Sequence, residues 1–128
     1  MTKEQIEGNK LIAEFCGWTI EPGMEDHEDP YYNQPQKDGY IPAMVLASNL
    51  RYHSSWDWLM QVVGKIETDG SQETGHNEIH ITENTCEIFR MSYVKPQFKN
   101  FDNKSKISAV WKTVVQYIQW YNTQKQNQ

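Results

Sequence analysis

The feature that most constrains the fold is an apolar stripe near the end of this 128-residue chain. Apolar residues recur there at intervals of three and four positions: Ile107, Val110, Trp111, Val114, Ile118 and Tyr121. This spacing places them on one face of an α-helix, and Ser105 directly before them is a suitable N-cap. The pattern predicts an amphipathic helix over about residues 106–123, followed by a polar, frayed tail at 123–128. Such a helix must bury its apolar face against another element.

Two further segments have helical periodicity. Thr2 and Gln5 have the spacing of a capping box, so a first helix is expected over about residues 3–16. Another helix is expected over about 55–67, where the apolar residues follow helical spacing: Trp56, Leu59, Met60, Val63 and Ile66.

Between these helices and the last one, polar and apolar side chains alternate, which indicates half-buried β-strands. We expect one strand at about 78–82 and a second from Cys86 to Val94, paired as a hairpin. In the second strand, Arg90 shares a face with Cys86 and Ile88. The fold class predicted from these patterns is α+β: three α-helices packed with a small antiparallel β-sheet as an α/β sandwich, in a single domain over residues 1–128.

Residues 21–49 are the least regular part of the chain, because prolines and glycines interrupt any helix or central strand there. We expect an irregular acidic loop there, preceded by a short strand at 18–20. At 44–47 we expect either a short strand or a turn of helix. The acidic run at 24–29 supplies oxygen ligands of the kind that calcium prefers. It lacks the pattern of an EF-hand, so a solvated loop is the favoured interpretation.

Charge and composition exclude several classes of protein. The net charge of −5 disfavours binding to duplex nucleic acid, although residues 105–128 hold three lysines and no acid. The chain has neither an apolar stretch of about 18 residues nor an apolar leader, so we expect no membrane contact and a cytoplasmic location. Cys16 and Cys86 are expected to be buried, reduced thiols, with a bridge between them left open.

Two clusters of residues have the composition of a chemical site. His53, Ser54 and Asp57 resemble a Ser–His–Asp arrangement, but a serine cap at Ser54 or Ser55 and a first-turn charge explain them better. His76 and His80 alternate with a glutamate and would share one strand face, where they could bind zinc. The favoured interpretation is a solvated strand face. We therefore predict no catalytic residue, no metal and no cofactor, and a protein that is not an enzyme.

Aromatic and cationic residues suggest two kinds of binding. Trp58, Trp120 and Tyr117 lie at the flanks of their apolar stripes, where they can meet a protein, a planar ligand or a second copy of the chain. On the first hypothesis the protein is a non-enzymatic accessory module that binds another protein, through residues such as Trp58 and Tyr32. On the second it sequesters a small anionic ligand or nucleotide signal. The candidate residues for that role are Arg51, His53, Ser54 and Arg90, with an aromatic side chain beside an arginine.

Three stretches of the chain carry a family resemblance: residues 9–18, residues 52–67 and residues 105–122. They are similar to small proteins of Bacteroidetes genomes and their prophages that resemble the phage ABA sandwich domain. The resemblance implies a small domain with helices packed on a β-sheet, encoded by a phage or mobile element. It also implies that a protein partner would be a host or phage protein, met in the cytoplasm of a bacterial host. It implies no active-site residue, because that group has no catalytic motif to carry over.

Overall fold

A computed structural model of the chain describes residues 1–35, 43–69, 77–90 and 96–126. The chain divides into two compact units, Met1–Arg51 and Tyr52–Gln128. Both units combine helix with an antiparallel three-stranded sheet, so the predicted α+β class with three helices is confirmed. The structure has two small sheets where the sequence pattern predicted one hairpin sheet. The assignment of the whole chain to a single domain stays a prediction.

The first unit opens with helix α1 and continues into three short strands and a 3₁₀ turn. Its elements are α1 (Lys3–Phe15), β1 (Thr19–Ile20), β2 (Tyr31–Asn33), β3 (Met44–Leu46) and the 3₁₀ turn Ala47–Asn49. The predicted capping box starts α1: the Thr2 hydroxyl accepts from the Gln5 amide at 3.1 Å, and the Gln5 side chain accepts from the Thr2 amide at 3.0 Å. Gly17 ends α1 with a φ of +92°, a conformation that favours glycine.

The segment predicted as an irregular loop at 21–49 contains β2, which was not predicted, and β3, which lies where a short strand was expected at 44–47. Strand β2 is the centre of the sheet and pairs antiparallel with both β1 and β3. The Asp29 carboxylate accepts from the amide of Ser48 at 2.8 Å and from its hydroxyl at 2.7 Å. This acid therefore fastens the chain before β2 to the 3₁₀ turn. Residues 36–42 of the predicted loop lie outside the described residues.

The second unit contains the predicted hairpin and the two remaining helices. Its elements are α2 (Trp56–Asp69), β4 (Asn77–Ile81), β5 (Thr85–Arg90), β6 (Phe98–Phe101) and α3 (Lys106–Gln126). The strand order is β4-β5-β6, and Ile79 of β4 lies opposite Ile88 of β5. Strand β6 was not predicted, and the end of the predicted second strand, at 91–94, lies outside the described residues.

The core of the second unit lies between its sheet and its helices. Helix α3 packs on β5 and β6, while α2 packs on β4 and on α3. Cys86 and Ile88 of β5 are fully buried, as are Val110 and Ile118 of the predicted helical stripe. Burial of these alternating strand residues shows that the face of β5 carrying Cys86 and Ile88 is the face covered by helix.

Helix α3 is longer than the sequence pattern predicted. It continues to Gln126, through most of the segment expected to be a frayed tail. The Thr123 hydroxyl donates to the Gln119 carbonyl at 3.0 Å, and the Lys125 ammonium lies 4.8 Å from the centroid of the Tyr121 ring. These contacts within the last turns stabilise helical conformation beyond residue 123.

Candidate functional site

Two of the residues predicted to bind a ligand or partner, Tyr32 and Arg51, lie in the first unit. Tyr32 is fully buried, and its hydroxyl donates to the Glu14 carboxylate at 3.1 Å. Burial, together with the negative charge of Glu14, raises the pKa of Tyr32 above its usual range. Tyr32 is therefore a core residue and cannot meet a partner in the folded unit. Arg51 is exposed at the end of the first unit.

Three more of the predicted residues, His53, Ser54 and Trp58, lie around the start of α2. Ser55 is the residue that caps this helix, with its hydroxyl 3.4 Å from the amide of Trp58. The Trp58 ring meets the ring of Tyr52 edge-on, with the centroids 5.2 Å apart. Burial lowers the pKa of the half-buried His53. These placements agree with the cap interpretation of this segment, with Ser55 rather than Ser54 as the cap.

The predicted histidine cluster on β4 contains an exposed hydrogen-bonded pair, His80 and Glu78. The Nε2 atom of His80 lies 3.3 Å from Oε2 of Glu78, and its ring is 4.7 Å from the ring of Phe89. His76, the third member of the proposed zinc cluster, lies outside the described residues. Within the described parts of the chain, no three His, Cys, Asp or Glu side chains are grouped to hold a metal ion.

Arg90 is the predicted residue that the structure places in a pocket. It is the last residue of β5 and projects from the face that α3 covers, which brings its guanidinium to Trp120 near the end of α3. The Cζ atom of Arg90 lies 4.8 Å from the centroid of the Trp120 ring. We call the surrounding cavity of about 380 Å³ the α3–β5 pocket, which is lined by Asn77, Arg90, Tyr117, Trp120, Tyr121, Gln124 and Lys125.

Three of the residues that line the α3–β5 pocket belong to a row of aromatic rings. The Trp120 centroid is 5.9 Å from that of Phe98 and 5.7 Å from that of Tyr117. The rings of Tyr117 and Tyr121 are stacked, 6.3 Å apart with an interplanar angle of 21°. Tyr117 is buried and its hydroxyl accepts from the Asn77 amide at 3.1 Å, whereas Trp120 and Tyr121 are half-buried. The last two rings therefore offer exposed aromatic surface on a fixed base.

The charge of the α3–β5 pocket is opposite in sign to that of the whole chain. Arg90 and Lys125 contribute two positive charges, and the described residues that line the pocket include no acid. The whole chain carries −5. Lys125 lies in the last turn of α3, where the helix dipole favours a cation. A concave surface with two cations and two half-exposed rings can bind an anion, and can stack against a flat one.

A second, larger cavity lies on the other side of Asn77 and has different chemistry. Its volume is about 820 Å³, and it is lined by Gly64, Glu67, Thr68, Asn77, Glu78, Ile79 and His80. Glu67 and Glu78 give it negative charge, so it is unsuited to an anionic ligand. The α3–β5 pocket is therefore the better candidate for the predicted anion site.

Four residues of the α3–β5 pocket were missed as site residues: Asn77, Tyr121, Gln124 and Lys125. Asn77 directly precedes the predicted strand at 78–82, Tyr121 was assigned only to the apolar stripe, and the other two were assigned to the frayed tail. A signal was nevertheless present, because Lys125 follows Tyr121 by four positions and therefore lies on the same helix face one turn later.

Comparisons with known proteins identified no relative of this chain. No protein-family model matches the chain, and neither the curated proteins nor the solved structures contain a significant match. The resemblance to the phage ABA sandwich domain therefore stays a prediction. In the described residues, no helix has both the length and the apolar character needed to cross a membrane.

Proposed function

We propose that this protein binds a small anionic ligand in the α3–β5 pocket and holds it without transforming it. The observation that carries the proposal is the guanidinium of Arg90, placed 4.8 Å from the Trp120 ring inside a pocket that also contains Lys125. This is the arrangement of an arginine beside an aromatic side chain that the sequence led us to look for.

The chemistry of the two cations supports an anionic ligand. An arginine presents several N–H donors in one plane, which matches the oxygens of a carboxylate or phosphate. Because the Arg90 head group rests against a ring, its rotation is restricted and less side-chain entropy is lost when an anion binds. A hydrogen bond to a charged group contributes about 1.5–3 kcal/mol, so losing the Arg90 contact would weaken binding by about 10- to 150-fold.

Isothermal titration calorimetry on the full chain at low salt tests this proposal, with phosphate, pyrophosphate and citrate as probes. We expect at least one of them to bind, and we expect R90Q and K125Q each to weaken that binding by about tenfold or more. K99Q is the matched control, since Lys99 is an exposed residue of β6 outside the pocket and the substitution removes the same charge. Absence of binding by every probe, or an equal loss in K99Q, would refute the proposal.

A second candidate function is the protein-binding module that the sequence also suggested. Trp56 and Met60 lie one turn apart on α2 and remain 40% and 45% exposed, which is the kind of apolar surface that a protein partner can cover. Native mass spectrometry of protein purified from its host distinguishes the two functions. A bound species of a few hundred daltons favours the small ligand. A bound polypeptide that is lost in M60E favours the module, with exposed Met44 of the first unit, as M44E, serving as control.

A phage origin is what the family resemblance implies, and a role in countering host defence is an analogy from that origin. Both stay predictions about the setting in which such a ligand or partner would be met.

A further inference from the structure

We infer that the ligand of the α3–β5 pocket is a nucleotide, with its base stacked on the exposed aromatic surface and its phosphates held by Arg90 and Lys125. This inference rests on the proposed anion-binding function and specifies the class of ligand. The juxtaposition that carries it is two cations beside two half-buried rings in one cavity of about 380 Å³.

The pocket offers aromatic ring surface that a small anion alone would not contact. Trp120 and Tyr121 are half-buried, and both are braced from behind by the buried ring of Tyr117 at 5.7 and 6.3 Å. Every nucleobase has a flat π-face, and stacking on an aromatic side chain strengthens binding by roughly 5- to 150-fold per base. A bare phosphate or a small carboxylate would leave this surface in contact with water.

The two cations fit a ligand with at least two negative charges. Arg90 and Lys125 come from different elements, and each lies 4.8 Å from a different ring, Trp120 and Tyr121 respectively. A pyrophosphate group is flexible and carries several charged oxygens, so it can contact both a planar guanidinium and an ammonium. The base can then lie on the part of the Trp120 ring that Arg90 leaves uncovered, because the Tyr121 ring is stacked on Tyr117 and contacted by Lys125.

The size and the polar lining of the pocket agree with one nucleotide. Cavities that bind small molecules typically measure about 300–1,000 Å³, and this cavity lies near the lower end of that range. The side-chain amide of exposed Gln124 lies in the same lining, and an amide supplies both a donor and an acceptor to a base edge. The net charge of −5 favours a free nucleotide over a long single strand, which would carry its negative charge beyond the pocket.

Calorimetry on the full chain separates ring recognition from charge recognition. The probes are ADP, GDP, CDP and UDP, with pyrophosphate as the ligand without a ring and adenosine and uridine as ligands without charge. We expect at least one diphosphate nucleotide to bind tenfold or more tightly than pyrophosphate, and the nucleosides to bind more weakly still. If pyrophosphate binds within threefold of the best nucleotide, the inference is overturned while the proposed anion-binding function stands. If no probe binds, both are overturned.

Variants at Trp120 assign the ring preference to this pocket. W120L should bring nucleotide affinity to within threefold of pyrophosphate affinity, while W120F should keep most of the preference because it retains a ring. W56L is the matched control, since Trp56 is exposed on α2 outside the pocket lining. Circular dichroism of each variant checks that it is folded, and W120F carries the test if W120L is not. The inference would be overturned if W120L kept the wild-type preference for nucleotide over pyrophosphate. It would also be overturned if W120F bound nucleotide no more tightly than pyrophosphate.

A final probe distinguishes a free nucleotide from the end of a nucleic acid. A 5′-phosphorylated ten-residue oligothymidylate should bind no more tightly than thymidine diphosphate. Binding of the strand at tenfold or greater affinity would overturn the assignment to a free nucleotide.

Discussion

Replacement of Asn77 by alanine tests how the second unit is held together at the edge of the α3–β5 pocket. Asn77 begins β4 and is only 4% exposed. Its side-chain amide donates to the carbonyl of Ile66 at 2.8 Å and to the hydroxyl of Tyr117 at 3.1 Å. Ile66 lies in the last turn of α2, where carbonyls lack partners within the helix. One side chain therefore completes the end of α2 and ties it to α3.

The magnitude follows from these contacts. Two lost hydrogen bonds cost about 0.5–1.5 kcal/mol each, and a buried carbonyl left without its donor adds about 1–3 kcal/mol. Ile66 is fully buried, so water does not easily replace the missing donor at its carbonyl. These contributions sum to about 2–6 kcal/mol, and we expect N77A to lower the free energy of unfolding by an amount in this range, at or above the upper side of typical single substitutions.

Urea unfolding at 25 °C, followed by circular dichroism, measures this difference. N100A is the matched control, because the Asn100 amide also makes two hydrogen bonds, to Thr113 at 3.1 Å and to Gln116 at 3.0 Å, but in a half-exposed position. Water can replace the bond to exposed Gln116, whereas Thr113 is buried, so N100A should cost about one hydrogen bond, 0.5–1.5 kcal/mol. Equal losses in N77A and N100A, or a loss below 1 kcal/mol in N77A, would show that burial of the Asn77 bridge does not govern its contribution.

Three other predictions concern a thiol, an acid and a turn. Burial raises the pKa of the Cys86 thiol to about 11. A disulfide reagent should therefore label half-buried Cys16 first and Cys86 only on unfolding. Labelling of both thiols at equal rates in the native protein would contradict this. A hydrogen bond from a backbone N–H lowers the pKa of Asp102 from 3.8 to about 2. The stability advantage of the wild type over D102N should therefore be complete above about pH 4 and should vanish as the pH falls towards 2, and a difference independent of pH would refute this reasoning. G17A should destabilise the protein by about 1–2 kcal/mol because φ is +92° at this position. G64A lies in the interior of α2 with open space around it and should stabilise the protein by up to about 1 kcal/mol. Thermal melts that rank the two variants in the opposite order would contradict this.

The helices were predictable from the sequence because their signal is local. Each apolar stripe lies within one helix, and the spacing alone identifies the buried face. Strands β2 and β6 are three and four residues long, too short for alternation to identify them. Their pairing depends on distant partners such as β3 and β5, which no local pattern encodes.

The candidate site was predictable in part, and the reason lies in strand geometry. Alternation placed Arg90 on the face of Cys86 and Ile88, and a cation on an otherwise buried face is a departure from core composition. The contact between the Arg90 guanidinium and Trp120 depends on how α3 crosses the sheet, and no local sequence pattern encodes that crossing. Lys125 was missed because polar residues at a chain end resemble a tail, although its ring partner lies one turn before it.

The partners of the basic side chains explain why the α3–β5 pocket, rather than another basic position, suits an anion. Lys112 of α3 already has a carboxylate partner, with its ammonium 3.2 Å from Asp102. A new anion would have to compete with that acid for the lysine. Arg90 and Lys125 instead rest against rings at 4.8 Å, and a ring face leaves the other side of the cation available for hydrogen bonds. Among the described residues the pocket lining contains no acid, so an incoming anion does not have to displace a lining carboxylate from either cation. On this argument, Q124E should weaken anion binding because it places a carboxylate beside Arg90 and Lys125. Q116E, on the same helix but outside the pocket lining, should not weaken it. Equal weakening by the two substitutions in the calorimetric assay would mean that net charge, and not the local arrangement, controls binding.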